Sequence, residues 1–202
     1  MTIRAILFDF GGVIVRTEFQ APRQHLALRL GMEYEDLIKL VFDSETAQQA
    51  SVGLISEDDH WAAVIRKLRL PASETQAIRD EFFAGDVIDL HLLDFLRSLR
   101  NQLKVGLISN AFSGLRPWIV SKKFEDVFDA MIVSAEIGVI KPDPRIFQIA
   151  LEKLGVRPEE AVFLDDFFEN VKGARAFGMQ AIHFIEPAQA LEELQKLLAD
   201  HQ

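Results

Sequence analysis

The side chains most able to do chemistry stand just beyond short apolar runs. IRAILF (Ile3–Phe8) runs into Asp9, and KVGLIS (Lys104–Ser109) ends on Ser109 with Asn110 next. AMIVS (Ala130–Ser134) is followed, seven residues on, by Lys141, and AVFL (Ala161–Leu164) runs into Asp165-Asp166. Three carboxylates brought together repel one another unless a cation neutralises them. Oxygen donors without Cys or His suit a hard cation, and Mg²⁺ is the expected one. A lysine and a hydroxyl beside that cation would serve an anion with several oxygens, which phosphate is. Gly11-Gly12 lets backbone amides approach such an anion closely. Ser109-Asn110 leads into a helical region, where free N–H groups favour phosphate. Pro142 biases Lys141 towards extended backbone. A carboxylate facing a phosphoryl group can act as nucleophile.

These residues work together only if the chain converges them. The apolar runs, with Gln180–Ile185 (QAIHFI) as a fifth, read as strands buried on both faces. Helical patterns lie between the later strands. One is Ile146–Leu154, opened by Asp143-Pro144 and ended by Gly155. Strand–helix alternation predicts a parallel α/β sheet. Its strands' carboxyl ends share one edge, where ligands bind.

The first strand breaks the rhythm. After it come about 80 residues with no convincing strand. Arg23–Leu30, Tyr34–Phe42, Glu57–Leu70 and Ser73–Phe83 read as helices, with Ser56 a candidate cap. The expected organisation is therefore an α/β core of residues 1–15 and 88–202 interrupted by a helical-bundle cap, 16–87. The total of 202 residues fits one domain with a large insertion.

Composition narrows the function classes. Apolar residues make up 49% and charged residues 26%, so a folded core is expected. No cysteine occurs, which excludes disulfides and thiolate metal sites. The balance of 22 basic against 31 acidic residues argues against nucleic acid as a partner. No signal peptide and no apolar stretch long enough to span a membrane is legible, so a cytoplasmic protein is the default. Oligomeric state is not legible.

ILFDFGGVIV, VGLISNA, IGVIKPDPRIF and VFLDDFFENVKGARAFGM resemble, in order, the four motifs of the haloacid dehalogenase-like (HAD) superfamily. The resemblance covers essentially the whole chain. SVGLISEDDHW, within the insertion, resembles the helical cap of its small phosphatases and dehalogenases. The resemblance implies a Rossmann-like core and hydrolysis of a small phosphomonoester with Mg²⁺. Asp9 would be the nucleophile, forming an aspartyl-phosphate. Ser109, Asn110 and Gly12 would hold the phosphoryl oxygens, and Lys141 would bridge Asp9 and the phosphoryl group. Asp9, Asp166, the Gly11 carbonyl and, directly or through water, Asp165 would hold the metal. Asn170 would brace that loop.

Two departures stand out. Gly11 occupies the position where most phosphatases of the family carry a second Asp as general acid/base, a role worth about 10²–10⁴-fold in rate. Glu18 is one candidate substitute. Phe167 replaces a small serine and adds bulk. A binding or regulatory module with little turnover, and a 2-haloacid dehalogenase, are the alternatives. Asp165-Asp166 counts against the second, because the resembling dehalogenases need no metal. Taken singly, Asp9 could be a turn former, Ser109 a helix cap, Lys141 a surface lysine and Asp165-Asp166 a cap for Glu169–Phe177. Phe167-Phe168 and His60-Trp61 read as packing residues. The five histidines are scattered, with no metal-binding spacing.

Overall fold

The computed structural model describes residues 2–199, so His201 lies outside the described residues. The apolar runs pair as a parallel five-stranded sheet. Its strands are β1 (Ala5–Phe8), β4 (Lys104–Ser109), β5 (Ala130–Val133), β6 (Ala161–Asp165) and β7 (Gln180–His183), in the order β5-β4-β1-β6-β7. β1 lies at the centre, with Phe8 opposite Leu107 on one side and Leu164 on the other. Asp9, Ser109 and Asp165 therefore end three adjacent strands.

Side chains alternate between faces with period two. Ile6, Phe8, Val105, Leu107, Val162 and Leu164 pack with α6 (Leu90–Leu99) and α11 (Pro187–Ala199). Leu7, Ile108, Ile132 and Phe163 pack with α9 (Pro144–Leu154) and α10 (Phe168–Ala176) on the other. As expected, Asp143 caps α9, accepting the Arg145 N–H, and Gly155 ends it in the left-handed region. Two shorter helices follow β4 and β5: α7 (Leu115–Ser121), after five intervening residues, and the single turn α8 (Ser134–Ile137), which adjoins β5, so Ser134 opens a helix rather than ending that strand.

The segment between β1 and α6 carries α1 (Ala21–Arg29), α2 (Tyr34–Phe42), α3 (Glu45–Ser51), α4 (Glu57–Lys67) and α5 (Thr75–Phe83). Leu26, Leu37, Val41, Trp61, Val64, Ile78 and Phe82 form its own core. α4 starts on a full capping box, Ser56 with Asp59. The expectation of no strand here is corrected: β2 (Val15–Thr17) and β3 (Asp86–Ile88) form an antiparallel ribbon. At three residues each they are too short to show a period, and they pair across about 70 residues.

Buried Arg23 fastens α1 to this ribbon. Its guanidinium grips Asp86 through Nη2 at 2.8 and 2.9 Å, donates from Nε to the Phe82 carbonyl at 2.9 Å and covers the Phe82 ring at 4.4 Å. Thr17 donates its hydroxyl hydrogen bond to the same Asp86 carboxylate at 2.8 Å.

Candidate active site

The sheet brings Asp9, Ser109, Lys141, Asp165 and Asp166 together, although 157 residues separate the first from the last. The lysine ammonium is the hub. It lies 2.7 Å from Asp9 Oδ1 and 2.6 Å from Asp165 Oδ2, and all three side chains are buried. Lys141 thus bridges two carboxylates and reaches the acceptor position of Asp9 at the same time.

The two aspartates differ in what they leave free. Asp165 accepts four hydrogen bonds: the Phe167 N–H at 2.7 Å, Lys141, and Asn170 Nδ2 at 3.0 and 3.1 Å to its two oxygens. Four bonds fill a carboxylate's lone-pair sites. Asp9 spends only Oδ1, on Lys141 and on the Phe10 N–H at 2.6 Å. Asp9 Oδ2 has no hydrogen-bond partner among the described residues. Nor has the hydroxyl of buried Ser109. With the Asp166 carboxylate, these are free groups of the site next to the fixed lysine ammonium.

Asn110 uses its side chain on the machinery itself. Its Oδ1 accepts the Lys141 N–H at 2.7 Å and its Nδ2 donates to the Lys141 carbonyl at 3.0 Å. The amide thereby ties the end of β4 to the loop that carries the lysine, leaving only Asn110's backbone for a ligand. Sequence reasoning missed this role, which no local pattern signals. Asn170 does brace Asp165, as its position implied.

Gly12 has a positive φ of 77°, and a Cβ there would stand 2.0 Å from Asp166 Oδ2. Only a glycine lets the first turn reach the Asp166 carboxylate. Gly11 is the opposite case, since a Cβ there would meet nothing within 4 Å. The place of the absent second aspartate is open space. Glu18 does not fill it: its carboxylate is held by Arg16 at 3.0 Å.

Asp9, Asp165 and Asp166 each offer an oxygen within 4.8 Å of the others. Burial pushes the Asp9 carboxyl up to about 7, beside Asp165 and despite Lys141. Burial, with Asp165 adding, also raises Asp166. A single lysine leaves this cluster short of positive charge, and all the donors are oxygens. The residues present therefore fit a hard divalent cation such as Mg²⁺. Asp9 and Asp166 have oxygens without a protein partner, whereas both oxygens of Asp165 already accept hydrogen bonds.

The cap meets the core beside these strand ends. Ser134 accepts the Ala111 N–H at 3.0 Å and donates to the Ser51 carbonyl at 2.7 Å. At Gly53, φ 71°, the cap backbone comes so close that a Cβ would lie 2.1 Å from the Ala135 carbonyl. Glu57 accepts the Gly114 N–H at 2.8 Å and pairs with Arg79. His60 is a packing residue, as expected: Nε2 donates to the Val41 carbonyl at 3.0 Å, so Nδ1 accepts from the Thr46 hydroxyl at 2.9 Å. Trp61 is fully buried. Phe167 and Phe168 correct their expectation, because they are 67% and 48% exposed instead of filling the core. The Phe167 N–H donates to the Asp165 carboxylate where the chain leaves β6 for α10.

The chain is similar to known proteins in sequence and in fold. The haloacid dehalogenase-like hydrolase family matches residues 3–178, and the chain belongs to that family of enzymes. Its relatives include a sesquiterpene phosphatase of Aspergillus oryzae, 28% identical over 98% of this chain and 97% of the relative. A D-ribitol-5-phosphate phosphatase of Bacteroides thetaiotaomicron is 28% identical over 97% and 98% of the two chains. A B. thetaiotaomicron HAD-family enzyme solved with magnesium and inorganic phosphate superposes with a TM-score of 0.76 at 25% identity, over 89% of this chain and 93% of that one. A HAD-like hydrolase of Porphyromonas gingivalis shares the fold, with a TM-score of 0.78 at 22% identity, over 97% and 99% of the chains. Among the described residues, no helix is long and apolar enough to cross a membrane.

Proposed function

We propose that this enzyme is a phosphohydrolase that cleaves a small phosphomonoester through an aspartyl-phosphate on Asp9, with Mg²⁺ as cofactor. The observation that carries the reading is the free Asp9 Oδ2 beside a lysine held by two buried carboxylates. The phosphatase names of the relatives and the magnesium–phosphate complex of the structural neighbour support it. The substrate's phosphoryl group would meet the Ser109 hydroxyl, the Lys141 ammonium and the backbone amides around Gly12 and Asn110. These donors stabilise charge where it develops. Asp9 Oδ2 attacks phosphorus, the ester oxygen leaves, and water then cleaves the acyl phosphate. Asp166, the Gly11 carbonyl and the Asp9 oxygen that does not attack would hold Mg²⁺, with Asp165 behind them as the bracket for Lys141. When bound, the cation neutralises the phosphoryl oxygens. Residues 1–15 and 88–202 are the catalytic core and 16–87 the cap that shields it from water.

The test is hydrolysis of 4-nitrophenyl phosphate by wild type and Asp9→Asn, with Mg²⁺ and with chelator. Wild type turns over with Mg²⁺ alone, and Asp9→Asn is inactive. Equal rates for the two proteins would remove Asp9 as nucleophile. Metal-independent release of chloride from a 2-haloacid would replace the reaction class.

A further inference from the structure

Two of the relatives are named for an apolar and a polyhydroxylated leaving group, and the residues around this site discriminate between such groups. Resting on the phosphohydrolase reading, we infer that the substrate is the phosphomonoester of an apolar alcohol, its hydrocarbon lying against Phe167, Ile140 and Leu54.

Five segments surround the catalytic cluster: 10–14 after β1, 110–114 after β4, 137–141 after β5, 165–168 after β6, and 51–55 from the cap. Their charged side chains are Lys141, Asp165 and Asp166 and no others. All three belong to the phosphate and cation site. Nothing ionic remains in these segments to recognise a second phosphate, a carboxylate or an amine on the leaving group. Their polar side chains are few. They are Ser51, Asn110 and Ser113, of which the Asn110 amide is spent on the Lys141 backbone and the Ser113 hydroxyl accepts the Glu57 N–H at 3.3 Å. Flanking charges are committed to one another: Glu57 to Arg79, Arg116 to Glu136, Glu169 to Lys172. A polyol would leave its hydroxyls without partners here, which opposes its binding.

Apolar side chains stand in their place, and they are exposed. Phe167 is 67% exposed, Leu54 75% and Ile140 42%. Each is fixed beside the site by its backbone. The Phe167 N–H is on the Asp165 carboxylate, Ile140 directly precedes Lys141, and Leu54 follows Gly53, which packs on Ala135. All three thus leave from backbone that borders the strand-end edge, and the occupant this chemistry selects is an uncharged hydrocarbon attached to the phosphate.

The experiment compares hexyl phosphate with glycerol phosphate, both esters of primary alcohols, in the presence of Mg²⁺. Hexyl phosphate is expected to have the higher kcat/KM by at least about tenfold. The double variant Phe167→Ser/Leu54→Ser is expected to shrink that ratio to near one, mainly through KM. Hexylphosphonate and methylphosphonate give a readout without turnover. Calorimetry should show the hexyl compound binding about tenfold tighter to wild type and not to the double variant. Glycerol phosphate preferred, or a ratio unmoved in the variant, overturns the inference while leaving the phosphohydrolase reading standing. Preferential hexylphosphonate binding without hydrolysis of any ester overturns that reading and leaves the apolar subsite standing.

Discussion

The strand-end edge of the core and the face of the cap opposite it are built on different physics. At the edge, a few buried polar groups hold one another through short hydrogen bonds and leave Asp9 Oδ2, the Ser109 hydroxyl and the Asp166 carboxylate free. Lys141 sits between Asp9 and Asp165, Asp165 is filled, and Asn110 clamps the lysine's own backbone. The cap is held by an aromatic core around Trp61 and Phe82, with one buried arginine as its polar fastening. Preorganised charge on one side and apolar burial on the other means that substitutions on the two sides should fail differently. Those at the edge should cost rate, and those in the cap should cost stability.

The largest break in that division is expected from Lys141→Met. Two buried carboxylates would lose their common cation, and kcat on an aryl phosphate should fall about 10²–10³-fold. A rate within threefold of wild type would show that the lysine only supports structure. Gly11→Asp sharpens the same side in the opposite direction. The space beside Gly11 is open, so a carboxylic acid fits there. It should raise kcat on alkyl phosphates about 10–100-fold and change aryl phosphates little, because only the poorer leaving group needs a proton. No gain would mean that protonation is already supplied.

On the cap side, Arg23→Ala should destabilise the protein by about 3 kcal/mol in urea titrations, since it strands Asp86 and uncovers Phe82. Per-molecule kcat should survive in the folded fraction. Ser56→Ala removes the capping box of α4 and should cost about 1 kcal/mol. The smallest effect is a pH dependence centred on His60. Burial lowers its pKa below the ordinary 6.5, although its bond to Val41 opposes the shift. The unfolded chain therefore takes up the proton first as pH falls, and stability declines below about 6.5. His60→Asn should flatten that decline in melting temperatures measured from pH 8 to 5.

What the sequence made legible follows the same division. Asp9, Ser109, Lys141 and Asp165-Asp166 could be found because each lies at or just beyond the end of an apolar run, and a parallel sheet has only one carboxyl edge. Capping at Asp143 and Ser56 was local chemistry and equally readable. Arg23 was not, because a buried arginine in a helix looks like a surface one until Asp86, 63 residues away, is folded against it. The ribbon β2–β3 was hidden for the same reason. Asn110 was assigned to a ligand from its position, while its side chain serves the loop next door. Phe167 and Phe168 stand exposed at the start of α10, which no composition rule anticipates.

The ribbon has one more consequence. Thr17 lies directly opposite Asp86 in its register, so the chain leaves the core and comes back to it on adjacent strands, about 4.8 Å apart. To the core, the five intervening helices are equivalent to a hairpin turn. A two-residue Asn-Gly link could close the same gap without disturbing the strands on either side. A different helical insert with closely spaced termini could be spliced there as well, so the cap's share of the substrate contacts can be exchanged as a unit while the reacting groups stay where they are.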